Sequence, residues 1–98
     1  YTLSLHDALP IFYPEVIIST HCDLEKHLFF LSVCDNGSGI LPEVLDKIFV
    51  PFFTTKPTGS GIGLSLCKQI MNLHGGSISA SSEIGKGSCF TLKFLCCG

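Results

Sequence analysis

The stretch that most constrains the fold of this chain is a glycine-rich loop followed at once by a helical pattern. Residues 59–63 are Gly-Ser-Gly-Ile-Gly, and apolar residues then recur at helical spacing up to residue 73. Glycines leave backbone N–H groups uncovered, and the first turn of a helix adds N–H groups without intrahelical partners. Such a loop suits a phosphate group, although a flexible linker before a helix has the same composition. Taken alone, these residues leave both interpretations open.

Composition restricts the chain to one small domain. Of its 98 residues, 46% are hydrophobic and 14% are charged, which indicates a folded core and not a disordered segment. The formal net charge of −2 provides no basic surface for nucleic acid. No apolar run has the roughly 18–20 residues of a membrane helix, and the N-terminus lacks the pattern of a signal peptide. We therefore expect a cytoplasmic domain without nucleic-acid partners or direct membrane contact.

The six cysteines are expected to be reduced structural residues. None forms a C-x-x-C pair, and none has zinc-finger spacing to a histidine. Cys34, Cys67 and Cys89 lie in apolar stretches, where a thiol behaves as a small hydrophobic group. We expect these three to be buried and reduced, which agrees with a reducing cytoplasm, and we expect no metal site.

The order of predicted elements indicates an α+β fold. The strands have β-branched or alternating residues, and the helices begin at Pro42 and near Ile62. The first helix has Val44, Leu45 and Ile48 on one side, and two glycines follow the second helix. The predicted class is a two-layer α/β sandwich, with helices on one face of a mixed or antiparallel sheet. The predicted strands are residues 15–22, 27–35, 77–82 and 89–95, and the predicted helices are residues 42–49 and 62–73.

A carboxylate closes the second predicted strand. The period of two places Asp35 on the face of Leu31 and Val33, so we expect it to face inward and to need a donor. The exocyclic amine of adenine is such a donor, and Gly37 and Gly39 would let a flat base lie close to the backbone. An ordinary Asx turn is the alternative interpretation of Asp-Asn-Gly.

Three segments, in this order, resemble the boxes of the ATP-binding catalytic domain of sensor histidine kinases. Residues 35–40, Asp-Asn-Gly-Ser-Gly-Ile, resemble the first glycine box. Residues 48–56, Ile-Phe-Val-Pro-Phe-Phe-Thr-Thr-Lys, resemble the phenylalanine box, and residues 59–64 resemble the second glycine box. Residues 74–90 also follow the family pattern, so the resemblance covers about residues 28–95. It implies the Bergerat ATP-binding fold shared with gyrase, Hsp90 and MutL.

The resemblance implies a role in ATP binding for each box. It assigns Asp35 to the adenine amine, the glycines of the first box to the adenine pocket, and those of the second box to the lid and the phosphates. Phe49 and Phe52 would shape the lid through packing. Lys56 would either approach the phosphates as a point charge or stay solvated. The expected ATP-binding residues are Asp35, Gly37, Gly39, Ile40, Phe49, Phe52, Thr55, Lys56, Gly59, Ser60, Gly61, Ile62, Gly63 and Leu64.

The asparagine box of the family, whose Asn binds Mg²⁺, has no counterpart here, because residues 1–27 contain no Asn. We therefore expect ATP and Mg²⁺ as cofactors of the parent protein, but neither a Mg²⁺ ligand nor phosphoryl transfer in this chain alone. Residues 1–12 are interpreted as a foreign or mis-joined leader, and residues 13–98 as a partial ATP-binding domain. His6 lies in a faint likeness of a phosphoacceptor box that lacks its Arg, and we do not expect it to be phosphorylated.

The resemblance implies that the parent protein is a two-component sensor histidine kinase. It would transfer the γ-phosphoryl group of ATP to a histidine on a separate dimerisation domain, with a response regulator downstream. One alternative is a fragment that binds nucleotide without catalysis. Another is a different Bergerat-fold ATPase, such as an anti-sigma factor serine kinase or a gyrase-like clamp, which the Pro-Phe-Phe-Thr-Thr-Lys segment disfavours.

Overall fold

The computed structural model of the chain describes residues 2–6, 13–55 and 59–95. Within these residues, five strands form one sheet in the order β1-β2-β3-β5-β4, and every neighbouring pair is antiparallel. The sheet is therefore antiparallel and not mixed. The strands are β1 (Thr2–His6), β2 (Glu15–Asp23), β3 (Leu28–Asp35), β4 (Ser77–Glu83) and β5 (Gly87–Leu95).

Both predicted hairpins are confirmed, with strand ends within two residues of the prediction. In the first hairpin, the β2–β3 pairing runs from Val16 opposite Asp35 to Asp23 opposite Leu28. In the second, Glu83 lies opposite Gly87 across the glycine-containing turn. The pairing of β3 with β5 then joins the two hairpins into one sheet.

Strand β1 was not predicted, because residues 1–12 show no clean period. Its backbone pairs with β2 from Thr2 opposite Ser19 to His6 opposite Glu15. A strand of this kind is defined by the free edge of its neighbour more than by its own pattern. The predicted leader thus includes one strand of the sheet, and the rest of it, residue 1 and residues 7–12, lies outside the described residues.

Helix α1 (Pro42–Leu45) is shorter than predicted, and helix α2 (Gly63–Leu73) is close to its predicted bounds. After α1 the chain continues in tight turns, in which Lys47 N donates to Val44 O and Val50 N donates to Lys47 O. Turns of this i to i+3 type end an α-helix because they break its i to i+4 ladder. In the part of the chain that the structure describes, neither helix is long and apolar enough to cross a bilayer.

Helix α2 packs on one end of the sheet with a different face from the one its pattern indicated. It contacts β4 and β5, α1 contacts β4, and in the described residues neither helix contacts β2 or β3. Among the residues whose side chains are described, Met71, which is 5% exposed, is the buried apolar side chain. The stripe of Leu66, Ile70 and Leu73 is exposed, up to 84% at Leu73. This amphipathic pattern therefore predicted the helix correctly but not the side that faces the sheet.

The cysteines differ from the expectation of buried, reduced thiols. Cys34 and Cys89 form a disulfide, with their Cα atoms 4.1 Å apart, and Cys67 is exposed. The physical reason is the register of β3 and β5, which places Cys34 directly opposite Cys89. Two residues 55 positions apart in the chain meet there only because these strands are neighbours.

Candidate functional site

The first glycine stretch, residues 35–40, is fastened to the β4–β5 hairpin through a serine hydroxyl. Ile40 N donates to Ser82 Oγ at 2.7 Å, and Ser82 Oγ donates to Gly87 O at 2.9 Å. Ser88 Oγ lies 2.9 Å from the same hydroxyl. In addition, Gly85 N donates to the Ser38 carbonyl at 2.8 Å. The loop is therefore held along its length by a turn that is distant in sequence.

Gly39 must be glycine for this loop to lie against the hairpin. Its φ is +85°, and a Cβ at this position would lie 2.5 Å from the Glu83 carbonyl oxygen. Residues with a side chain rarely adopt that backbone conformation. In addition, the Cβ would overlap with backbone, which cannot move aside easily. Gly39 thus allows a close approach of the protein's own backbone, and the close approach of a flat base stays a prediction.

We expected Asp35 to face inward among apolar residues, but it is exposed. Its Oδ1 accepts a hydrogen bond from Gly37 N at 2.9 Å, so the Asx turn considered as the alternative is present. The reason is its position: Asp35 forms the last pair of the β2–β3 register, opposite Val16, and no described helix contacts these two strands. A carboxylate has several acceptor sites, and one local bond leaves capacity for a ligand.

The second glycine stretch, residues 59–64, meets the phenylalanine segment at Gly61. Phe52 N donates to Gly61 O at 2.8 Å, and Gly61 has a φ of +73°. Phe52 has a φ of +66°, and its side chain is 77% exposed. The expectation that Phe52 shapes the lid through packing is therefore wrong, because its contribution here is through the backbone. Phe49 is half-buried, and Lys68 Nζ of α2 lies 5.6 Å from its ring centroid.

Both glycine stretches line one cavity of about 610 Å³. Pockets that bind small molecules in proteins usually have volumes of about 300–1,000 Å³. The connection between the stretches, including α1, supplies the apolar part of the wall. The lining residues are Gly39, Ile40, Leu41, Val44, Ile48, Phe53, Thr54, Thr55, Gly61, Gly63 and Leu64.

Six of the residues expected from the sequence belong to this lining, which brings the two stretches together: Gly39, Ile40, Thr55, Gly61, Gly63 and Leu64. Lys56 lies outside the described residues. The remaining seven lie outside the lining: Asp35, Gly37, Phe49, Phe52, Gly59, Ser60 and Ile62.

Helix α2 begins at this cavity. Gly63 and Leu64 are its first residues, and the preceding Ile62 gives no side-chain hydrogen bond to cap it. The N–H groups of a first helical turn have no partners within the helix and carry the positive end of its dipole. A Cβ on Gly63 would meet no heavy atom within 4 Å, so there is open space beside these donors. This end of the cavity suits an anionic group.

Several residues at the site were not identified from the sequence. Val44 and Ile48 were assigned to one side of a helix, and that pattern could have placed them in the wall. Ser82 and Ser88 lie opposite each other in the β4–β5 register, and Ser88 is only 6% exposed although polar. The predicted hairpin could have indicated this pair, but its contact with Ile40 depends on how the loop folds back.

The comparisons with known proteins agree with this geometry. A family model described as histidine kinase-, DNA gyrase B-, and HSP90-like ATPase matches residues 9–96. The sensor histidine kinase ZraS of Escherichia coli K12 is 52% identical over 62 residues, which are 63% of this chain and 13% of ZraS. The catalytic domain of histidine kinase ThkA has a TM-score of 0.71 at 34% identity, over 84% of this chain and 53% of that one. Full-length ShkA in complex with AMPPNP has a TM-score of 0.72 at 26% identity, over 81% of this chain and 16% of ShkA.

These similarities concern one domain of larger proteins, since the chain spans about an eighth of the length of ZraS, 13%. The likeness to the ThkA catalytic domain also confirms the expected α+β fold of Bergerat type. Three lines of comparison, by family, by relative and by structure, therefore converge. The chain belongs to the family of histidine kinase-, DNA gyrase B- and HSP90-like ATPases, and it represents the ATP-binding catalytic domain of a sensor histidine kinase.

Proposed function

We propose that ATP occupies the cavity between the two glycine stretches. The observation that carries this proposal is that the stretches, separated by α1 and the phenylalanine segment, line the same cavity of about 610 Å³. Asp35 accepts a hydrogen bond from the exocyclic amine of adenine, while its other oxygen keeps the bond from Gly37 N. Membership of an ATPase family supports the identity of the nucleotide.

Different parts of the cavity lining suit the base and the phosphates of the nucleotide. Ile40, Val44 and Ile48 provide apolar contacts for the flat base and exclude water from it. The phosphates extend towards the first turn of α2, where Gly63 leaves the N–H groups uncovered and the helix dipole favours negative charge. Lys56, next to the lining residue Thr55, adds positive charge to the phosphates.

Magnesium belongs to the proposal for the parent protein. It would neutralise phosphate charge during transfer. The described residues contain no group of three or more His, Cys, Asp or Glu side chains that could hold a metal ion, and residues 1–27 contain no Asn. Because these residues do not provide a ligand set, we assign no Mg²⁺ ligand in this chain.

For the parent protein we propose that the γ-phosphoryl group is transferred to a histidine on a separate dimerisation domain, with a response regulator acting downstream. We propose that this reaction takes place in the cytoplasm. The similarity to ZraS supports this assignment. The domain itself is proposed to comprise residues 13–98, with residues 1–12 as a leader of other origin, and the family match begins nearby, at residue 9. This chain alone is expected to bind nucleotide without transferring phosphate.

The adenine contact is tested by binding of a fluorescent ATP analogue to the chain and to Asp35→Ala. We expect the substitution to weaken binding about tenfold or more, because it removes the charged acceptor of the adenine amine. Asp23→Ala is a matched control, because Asp23 also ends a strand and accepts a local bond, from Lys26 N at 3.2 Å. Equal affinity of the chain and of Asp35→Ala for the analogue would show that Asp35 does not bind the nucleotide.

The transfer reaction is tested with γ-labelled ATP, Mg²⁺ and a histidine-bearing dimerisation domain of ZraS type supplied separately. We expect the chain to bind ATP but to leave this domain unlabelled, whereas a catalytic domain that contains an asparagine box labels it. Labelling by the chain alone would show that it supplies all groups needed for transfer.

A further inference from the structure

The side chain of Asn36 joins the first glycine stretch to the segment in front of β2. Its Nδ2 donates to the Tyr13 carbonyl at 2.8 Å, and its Oδ1 accepts from Glu15 N at 2.8 Å. The Asn36 backbone N–H also donates to Glu15 O, at 3.3 Å. One residue of the loop thus forms three hydrogen bonds with a segment more than twenty positions earlier in the chain.

These bonds extend the β2–β3 ladder beyond its last residue pair. The paired register ends with Val16 opposite Asp35, one residue before Asn36. A carboxamide carries one acceptor and two donors, so it can occupy the place of a further peptide group in the ladder. The backbone after Asn36 is then free to turn into the glycine loop, while the side chain keeps the strand end attached to β2.

The consequence concerns Asp35, which lies directly before Asn36. Its backbone is fixed on one side by the pair with Val16 and on the other by the Asn36 bonds, and its carboxylate is oriented by Gly37 N at 2.9 Å. Asp35 is exposed, so packing does not hold this carboxylate in place. We propose that Asn36 is a positioning residue that holds the Asp35 carboxylate in the orientation that reads the adenine amine.

This inference rests on the proposed role of Asp35, and it predicts an effect on base discrimination beyond any effect on stability. Inosine triphosphate is the suitable probe, because it carries a carbonyl oxygen where ATP carries the amine. A correctly oriented carboxylate accepts from ATP and opposes the oxygen of inosine triphosphate. A loosened carboxylate retains less of this difference, whereas a purely structural defect weakens the binding of both nucleotides equally.

The experiment measures dissociation constants for ATP and inosine triphosphate by competition with a fluorescent ATP analogue. The proteins are the 98-residue chain, Asn36→Ala, and Asn36→Asp, which keeps the shape but replaces the donor to Tyr13 O by an acceptor. Asn72→Ala, at the chain's other asparagine, is the control, because Asn72 is exposed on α2.

We expect the chain and Asn72→Ala to prefer ATP about tenfold. Both Asn36 variants are expected to reduce the preference to about threefold or less, with little change for inosine triphosphate. If the chain prefers ATP and both Asn36 variants keep that preference, the positioning role is overturned and the proposed function stands. If the chain binds no ATP, the proposed function itself fails. Should Asn36→Ala melt below the assay temperature, the isosteric Asn36→Asp variant decides the question.

Discussion

The two glycine stretches of this domain have similar compositions but differ in what surrounds them. The first is fastened to the β4–β5 turn, with Ile40 N bonded to Ser82 Oγ and the Ser38 carbonyl bonded to Gly85 N. The second meets the phenylalanine segment at Gly61, and Gly63 has open space where a Cβ would be. Glycine thus serves close packing at Gly39 and at Gly61, whereas at Gly63 it leaves the backbone accessible.

This difference teaches that glycine content alone does not identify the part of a site that the ligand contacts. In the first stretch, glycine allows the loop to pack on the protein, and that packing forms a wall that exists before the ligand arrives. In the second stretch, glycine leaves donors at the start of α2 uncovered beside the cavity. Substitution of Gly39 should therefore affect mainly stability, and substitution of Gly63 mainly binding.

The largest effect is expected from removal of the Cys34–Cys89 disulfide, which joins β3 to β5 directly before the first stretch. The disulfide spans 55 residues, and the chain-entropy relation then predicts a loss of about 4 kcal/mol in the free energy of unfolding. Cys34→Ser with Cys89→Ser is compared with the exposed Cys67→Ser by denaturant unfolding. Amide exchange should rise first in the first stretch, and an unchanged unfolding free energy would show that the bond adds no stability.

Gly39→Ala should have the next largest effect. A Cβ in the left-handed conformation costs about 1–2 kcal/mol, and its overlap with the Glu83 carbonyl adds about 1–3 kcal/mol. Thermal and denaturant unfolding measure the loss, which should amount to at least about 2 kcal/mol. A variant as stable as the parent chain would mean that the loop does not need this close approach.

Ser82→Ala removes the hydroxyl that joins Ile40 N to the β4–β5 turn. Because the Ile40 N–H and its neighbours are partly buried, the loss should be about 1–3 kcal/mol. Ser79→Ala is the matched control on the same strand, since Ser79 is exposed, and it should change stability by less than about 0.5 kcal/mol. Equal effects of the two substitutions would contradict the special role of Ser82.

Gly63→Ala should have the smallest effect on stability, with the opposite sign. Its Cβ would meet no heavy atom, and alanine at the start of α2 should stabilise the domain by about 0.5–1 kcal/mol. The same methyl group would occupy cavity space beside the helical N–H groups, so affinity for the fluorescent ATP analogue should fall. A variant with improved stability and unchanged affinity for the analogue would show that the phosphates do not bind beside Gly63.

Predictions from local patterns were accurate where the physical cause is local. The strands of both hairpins follow from β-branched residues and glycine turns, and helix α2 follows from its apolar spacing. Prediction failed where the cause is a distant neighbour. Strand β1 depends on the edge of β2, and the exposure of Leu73 depends on which face of α2 meets β4 and β5.

The same division holds within the site. The order and spacing of the boxes were sufficient to indicate the family and the α+β class, because residue type and short-range turn chemistry encode them. The tertiary structure alone decided that Asp35 is exposed, that Ser82 fastens the loop and that Cys34 meets Cys89. These features require strands and turns far apart in the chain to be brought into register, and residue spacing within one segment carries no information about that register.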